Sequence, residues 1–329
     1  MTSLTNDVLA LEVRSRRQVA QGVVAIELSC ADGASLPCWS PGAHIDLETR
    51  DASGNAVKRQ YSLCGEVNSP TWRVAVLADA AGRGGSLWLH DHAKPGMKLV
   101  GSRPRNHFAM DADSDDPVVL VAGGIGITPL ISMARSLHEC KRPFRLHYHV
   151  RRRPSAAFLE ELMAAPYAQQ VHLSIDEEAP CAVTDIFTPG DAAAWVYICG
   201  PSGFMDAVAA SALQAGTASS RIRRELFAAA PIPAKKGPPT KRPFIVRLHS
   251  TGQSVQVRED QTVVQALALA GVEVLVSCEQ GYCGSCLTRV LEGVPEHHDQ
   301  FMMPEEHERN DAFTPCCSRA LSSCLVLDL

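Results

Sequence analysis

The sequence predicts a multidomain chain of β and α/β type: an antiparallel sandwich or barrel, then a parallel α/β sheet, then a smaller β-rich domain. Three observations carry this. From Val8 to about Phe108 the chain is short β-type runs broken by Gly, Pro, Asn and Asp. At Pro117 the pattern changes to a continuous apolar run, a glycine cluster and a helical segment. The stretch Pro231–Pro243, with five prolines and four Lys or Arg around one Gly, reads as a semi-extended linker, after which strands resume.

Size and charge agree. At 329 residues the chain exceeds one ordinary core and suits two or three domains of roughly 100 residues each. With 46% hydrophobic and 20% charged residues it has a globular balance. A net charge of −5 without a long basic face argues against a nucleic-acid partner. Met1–Leu11 lacks the basic and apolar regions of a secretion signal, and no apolar run nears the roughly 20 residues of a membrane span. A cytoplasmic protein with no membrane association is the expectation.

In order along the chain, strands are expected at Val23–Leu28, His44–Leu47, Arg59–Leu63 and Trp72–Leu77, with one helix at Gly85–His92. Pro117–Ala122 reads as a strand covered on both faces; Thr128–Leu137 is helical and Phe144–Val150 a strand, completing a βαβ unit. Val171–Ile175 and Trp195–Cys199 extend that sheet, and Ser202–Ala212 adds a helix. After the linker come strands at Phe244–His249 and Ser254–Val257 and a helix at Val263–Ala270. The expected domains are 1–112, 113–230 and 244–329, with the linker at 231–243.

Of twelve cysteines, four form a pattern: Cys278, Cys283 and Cys286 in one loop, and Cys316 further on. The spacing Cys-x4-Cys-x2-Cys…Cys is that of plant-type [2Fe–2S] ferredoxins. Gly281 and Gly284 allow the loop to wrap closely on a compact anionic cluster. Structural zinc prefers two paired knuckles, and this segment has one. Spacing alone leaves Cys316 and its neighbour Cys317 open as the fourth ligand. Cys30, Cys38, Cys64, Cys140, Cys181, Cys199, Cys317 and Cys324 have no metal-ligand spacing and read as buried free thiols. His44, His90, His92 and the pair His297-His298 read as ordinary surface or packing residues.

Gly123, Gly124 and Gly126 stand where a strand ends and a helix begins, followed by Thr128 and Pro129. Backbone N–H groups and the helix dipole suit a pyrophosphate there. The order Gly-Gly-x-Gly-x-Thr-Pro is not the Gly-x-Gly-x-x-Gly of simple Rossmann dehydrogenases. Gly82-Arg-Gly-Gly-Ser before a helix is a second anion-site pattern.

The chain resembles the phthalate dioxygenase reductase and vanillate demethylase reductase family over essentially its whole length. The resemblance lies in Arg59-Gln-Tyr-Ser, the Gly123 turn, Tyr197-Ile-Cys-Gly-Pro, Cys278–Cys286, Cys316-Cys-Ser-Arg-Ala and Leu325-Val-Leu-Asp-Leu. It implies a flavin-binding antiparallel β-barrel, an α/β nicotinamide domain of the ferredoxin–NADP reductase superfamily, and a β-grasp ferredoxin domain. By it, Arg59 neutralises the flavin phosphate, Tyr61 packs on the isoalloxazine and Ser62 hydrogen-bonds near N5. Arg83, Gly84, Gly85 and Ser86 hold the phosphate, and the lack of an adenine-binding extension favours FMN over FAD. Cys199, Gly200 and Pro201 lie beside the nicotinamide, and Phe227 lies near the flavin. Cys316 is the fourth cluster ligand.

Arg151 matches the family arginine at the adenosine side, Arg152 stands where relatives usually have serine, and Arg153 adds a third charge or belongs to a solvated basic turn. An arginine facing the ribose would attract the 2′-phosphate of NADPH, whereas one facing solvent leaves NADH. NADH is the expected nucleotide. The implied function is a monomeric reductase component passing single electrons to a Rieske-type oxygenase. A stand-alone reductase for another acceptor such as a cytochrome, and a non-enzymatic ferredoxin-type carrier, are the alternatives.

Overall fold

The computed structural model describes residues 8–112, 114–227 and 242–329, in two compact units that divide between Glu225 and Leu226. The linker expected at 231–243 lies, up to residue 241, outside the described residues.

The first unit opens with β1 (Val8–Ala20), β2 (Val23–Cys30), β3 (His44–Arg50), β4 (Ala56–Ser62), β5 (Trp72–Leu77), α1 (Gly85–His92) and β6 (Lys98–Ser102). The strands form an antiparallel sheet in the order β4-β3-β6-β1-β2-β5. A bridge between Leu63 and Val74 joins the two edges, so the sheet closes into a barrel. Alternation puts Leu11, Val13, Ile26, Leu28, Ile45, Leu47, Trp72 and Val74 inside, each 1% exposed or less. β1 and β6 have no counterpart among the expected strands. β1 runs through Arg14-Ser-Arg-Arg-Gln, whose polar residues mask the strand pattern, and β6 contains Gly101, over which Leu11 packs.

The chain continues with β7 (Val118–Gly123), α2 (Ile127–Glu139), β8 (Phe144–Val150), α3 (Leu159–Ala164), β9 (Val171–Ile175), β10 (Trp195–Cys199), α4 (Ser202–Gln214) and β11 (Ile222–Glu225). These strands are all parallel, in the order β11-β10-β7-β8-β9. Every residue of β7 is buried, which is why its run is apolar throughout. The strand order reverses between β7 and β10, making the crevice beyond their C-terminal ends the expected ligand position. Arg73 of β5 donates to both oxygens of Glu161 in α3 at 2.8 and 2.9 Å, and Arg135 of α2 pairs with the same carboxylate. This triad ties the barrel to the parallel sheet.

The second unit contains β12 (Phe244–Leu248), β13 (Ser254–Val257), α5 (Val263–Leu269), β14 (Thr288–Glu292), β15 (Pro295–Glu296), α6 (Pro304–Arg309), β16 (Ala312–Phe313), β17 (Arg319–Ala320) and β18 (Cys324–Leu327). β12 pairs antiparallel with β13 and parallel with β18, in a sheet ordered β13-β12-β18-β14-β16; β15 and β17 form a separate pair. α5 starts with a capping box in which Thr262 and Gln265 each accept the other's backbone N–H. Its Val263, Ala266 and Leu267 cover the sheet in a β-grasp arrangement.

The free cysteines correct one expectation. Cys38, Cys140 and Cys181 are exposed, and Cys317 and Cys324 are half-buried, because they sit on loops and strand edges rather than in a core. Among the described residues no helix is long and apolar enough to cross a membrane.

Candidate active site

β4 carries Arg59, Tyr61 and Ser62. Alternation puts Arg59 and Tyr61 on one face and Ser62 on the other, opposite His44 of β3. Arg59 donates from Nη2 to the carbonyl of Arg83 at 3.3 Å, drawing the guanidinium to the entrance of α1. A Cβ at Gly85 would lie 2.9 Å from Arg59 Cγ and 3.1 Å from its Nε, so only bare backbone lets that arginine cross the helix start. Gly84 precedes the helix at φ +84°, no side chain caps it and no acid occupies its first turn. Ser86 Oγ accepts the N–H of Asp79 at 3.2 Å, pinning the loop. A guanidinium beside uncapped helix N–H groups fits a phosphate.

Across the first unit, Gly124–Gly126 make a tight turn between β7 and α2. Gly126 has no room for a side chain, because a Cβ would strike the carbonyl of Cys199 at the end of β10. A Cβ on Gly200 would sit 3.0 Å from the Cα of Gly123. Gly124, at φ +56°, has open space above it. Thr128 is buried and donates from Oγ1 to Ile125 O at 3.0 Å, with buried Pro129 beside it in the first turn of α2. Pro201 precedes α4. Between β7 and β10 the glycine backbones pack closely on one another, with the rings of Pro201 and Phe204 lying against Gly123 and that of Phe204 against Gly200.

The two halves meet at Glu225, the last residue of β11. Ser62 Oγ donates to Glu225 Oε2 at 3.3 Å across 163 positions of sequence, and His44 Nδ1 lies 4.0 Å from Glu225 Oε1. Burial lifts the Glu225 pKa to about 8, with the Ser62 bond opposing. Burial, and then the charge of Arg105, lower that of His44 to about 3. Burial, reinforced by Glu225, raises the Cys199 thiol well above its ordinary value. Each of the three shifts favours the uncharged form of its side chain.

His44 therefore corrects the reading of it as an ordinary packing histidine: it is buried, pairs across the ladder with Ser62 and lies 3.1 Å from Gln60 through Nε2. Glu225 stands in the stretch Arg224-Glu-Leu-Phe227, which resembles a Glu-x-Phe of the family, and sequence reasoning assigned a role there to Phe227 alone. Phe227 stands two residues further on, in the second unit, 38% exposed.

At the end of β8, Arg151, Arg152 and Arg153 are exposed. Arg153 holds both oxygens of Glu178 at 2.9 and 2.6 Å, and Arg152 Nε is 3.6 Å from Glu177 Oε1.

In the second unit, Cys278, Cys283, Cys286 and Cys316 are 3–7% exposed. The neighbouring Cys278 thiol and burial push Cys283 far above the usual thiol range. Cys278 acts to lower the Cys316 thiol, but Cys286, Cys317 and burial together push it far above the usual thiol range. Four crowded, buried sulfurs can all be thiolates only around a compensating metal centre. Cys317 instead sits 3.2 Å from Thr314 Oγ1, under Gly281, where a Cβ would strike its sulfur. Gly281 and Gly284 both have positive φ.

His297 and His307 flank buried Asp299, whose Oδ1 is 3.7 Å from His297 Nδ1 and 3.1 Å from His307 Nε2. The rings stack 4.3 Å apart at 23°. His307 Nε2 hydrogen-bonds both Asp299 oxygens at 3.1 and 3.3 Å, whereas His297 Nδ1 stands at ion-pair distance. Of the two settings expected for His297, surface or packing, it has the packing one, buried beside Asp299 and His307.

The profile of the 2Fe-2S iron-sulfur cluster binding domain family matches residues 246–321. The chain is 42% identical over 322 residues to a vanillate O-demethylase oxidoreductase of Pseudomonas sp. (strain HR199 / DSM 7063), covering 96% of this chain and 98% of that one. It is 35% identical over 326 residues to the phthalate dioxygenase reductase of Burkholderia cepacia, covering 98% and 97%. Among solved structures, one of a phthalate dioxygenase reductase, described as modular for electron transfer from pyridine nucleotides to [2Fe-2S], aligns over 98% of both chains with TM-score 0.68 and 34% identity. An intact type IV self-sufficient cytochrome P450 monooxygenase aligns with TM-score 0.84 and 35% identity, over 98% of this chain and 41% of that one.

Proposed function

Because the chain belongs to the family of vanillate O-demethylase oxidoreductases and phthalate dioxygenase reductases, it is an electron-transfer oxidoreductase, and we propose that it takes reducing equivalents from NADH and delivers them singly to an oxygenase component. FMN and a [2Fe–2S] cluster are its cofactors; together they divide a two-electron hydride into single electrons. Residues 1–112 hold the flavin, 113–230 the nicotinamide nucleotide and 244–329 the cluster. The partner is of Rieske type, meets this chain transiently, and finds it as a cytoplasmic monomer.

The observation that carries the reading is the Ser62–Glu225 contact, which brings the expected flavin strand and the expected nicotinamide sheet to one buried point. Arg59 and the first N–H groups of α1 neutralise the flavin phosphate, with Arg83, Gly84, Gly85 and Ser86 forming the loop. Tyr61 supports the ring system. Gly123, Gly124, Gly126, Thr128 and Pro129 leave the crevice open for the pyrophosphate, while Arg151 and Arg152 stand at the adenosine end. Gly200 and Pro201 bound the nicotinamide pocket. Cys199 keeps a neutral thiol there, so no second anion is buried beside the reacting ring. Glu225 holds its carboxyl proton next to Ser62, whose hydroxyl donates to Oε2 and favours the ionised form against burial. His44, uncharged, orients the carboxyl without binding its proton. Cys278, Cys283, Cys286 and Cys316 ligate the irons.

The test is electron flow. Cys283→Ser should still bleach its flavin with NADH but lose reduction of cytochrome c as a one-electron acceptor. Undiminished cytochrome reduction would make the cluster a side branch. A haem protein as natural acceptor is the second reading, favoured by the likeness to part of a cytochrome P450 monooxygenase.

A further inference from the structure

We propose that Glu177 and Glu178 set the nucleotide preference, by occupying two arginines that would otherwise bind the 2′-phosphate of NADPH. The inference rests on the reading above that the nucleotide crosses the C-terminal ends of β7, β8 and β10.

In an open parallel sheet of this kind, the tip of the second strand reaches the adenosine ribose. An acid there hydrogen-bonds the 2′-hydroxyl, and an arginine accommodates a 2′-phosphate. Here the tip of β8 carries Arg151-Arg152-Arg153, the basic version, which taken alone calls for NADPH. The neighbouring strand answers it. β9 pairs with β8 in parallel register, Val150 against Ile175, so Asp176-Glu177-Glu178 emerges beside the three arginines. The two turns are also stitched by their backbones: Asp176 N–H donates to Val150 O at 3.0 Å and Glu177 N–H to Arg151 O at 3.3 Å.

The side chains then pair in order. Arg153 meets Glu178 through two parallel hydrogen bonds at 2.9 and 2.6 Å, and Arg152 faces Glu177 at 3.6 Å. Arg151 has no carboxylate partner among the described residues. One guanidinium of the three is left for the anionic backbone of a dinucleotide. A 2′-phosphate arriving at Arg152 or Arg153 must displace a carboxylate or sit beside it at like charge. The 2′-hydroxyl of NADH meets neither obstacle. Both pairs are about half exposed or more and contribute little to folding, so they can be removed without unfolding the sheet.

The experiment uses the full-length holoprotein and calorimetric titration with ADP-ribose and 2′-phospho-ADP-ribose, neither of which can transfer a hydride. In wild type, ADP-ribose should bind at least tenfold tighter. In Glu177→Gln/Glu178→Gln, the ratio of the two Kd values should move toward the phosphorylated probe by ten- to a hundredfold. Adding Arg152→Ser and Arg153→Ser to that variant should return most of the shift, and raised salt should shrink it. An unchanged ratio in the double Gln variant, with ADP-ribose still bound, overturns the inference alone. Failure of wild type to bind ADP-ribose overturns the nucleotide-site reading and the inference with it.

Discussion

Glu225→Gln isolates the cost of keeping an acid buried beside Ser62. The Glu225 pKa stands at about 8 in the folded protein against an ordinary 4.5. The folded state therefore binds more protons than the unfolded one between those values, and stability must fall as pH rises through that window. At about 1.4 kcal/mol per pKa unit, the whole shift is worth up to about 5 kcal/mol. About 3 kcal/mol of it is lost between pH 6 and pH 9, since the unfolded carboxyl is ionised throughout that range while the folded one ionises near 8. The 14% exposure of the side chain makes this the upper end. Glutamine keeps the shape and a partner for Ser62 but cannot ionise. All four tryptophans, Trp39, Trp72, Trp88 and Trp195, lie in the same unit as Glu225, so their fluorescence in urea reports on the right part of the chain. Wild type should lose about 3 kcal/mol more than the variant between pH 6 and pH 9. Equal losses would mean that Glu225 titrates as an ordinary surface carboxylate and holds no proton at neutral pH.

Three further outcomes are expected. Cys316→Ser should abolish the visible spectrum of the iron–sulfur cluster and Cys317→Ser should retain it; the reverse would exchange their roles. Arg59→Ala should weaken FMN binding by roughly 10- to 150-fold, the worth of one charge-assisted phosphate contact, measured by fluorescence of released flavin. Glu161→Ala leaves Arg73 and Arg135 facing each other, and should lower the stability seen by tryptophan fluorescence by about 3 kcal/mol, whereas a change within 0.5 kcal/mol would deny the triad a structural role.

What the sequence revealed is what local chemistry writes locally. The buried run of β7 can only be a strand covered on both faces. Gly84 and Gly85 before α1, and the cysteine loop with its two positive-φ glycines, are contiguous and so readable. β1 was hidden because a barrel strand whose outer residues are Arg14, Arg16 and Arg17 looks like a polar loop. β6 was hidden by its length and by Gly101, which exists to admit Leu11 from another strand. The Ser62–Glu225 contact was not legible for a different reason: its partners lie 163 positions apart, and nothing at either position signals the other. The arginines after β8 were legible as charges. That β9 would neutralise two of them depends on a strand register that composition does not encode.

The distribution of charge then follows from what each end of the bound molecules requires. Under the proposed function, phosphates are anionic before and after reaction, so fixed cations would serve them throughout: Arg59 at the flavin phosphate, Arg151 at the adenosine side. The hydride-exchange end gains and loses charge during turnover, and a permanent ion there would favour one redox state over the other. At that point the chain has three titratable side chains, and their environments drive each toward neutrality in its own direction: Glu225 upward, Cys199 upward and His44 downward. Burial achieves this for Glu225, and burial reinforced by Glu225 achieves it for Cys199. For His44 it is assisted by Arg105, which is itself held by Asp46 at 2.5 Å. Replacing Arg105 would therefore act on the site through His44, raising its pKa while burial, the larger cause, continues to hold it down.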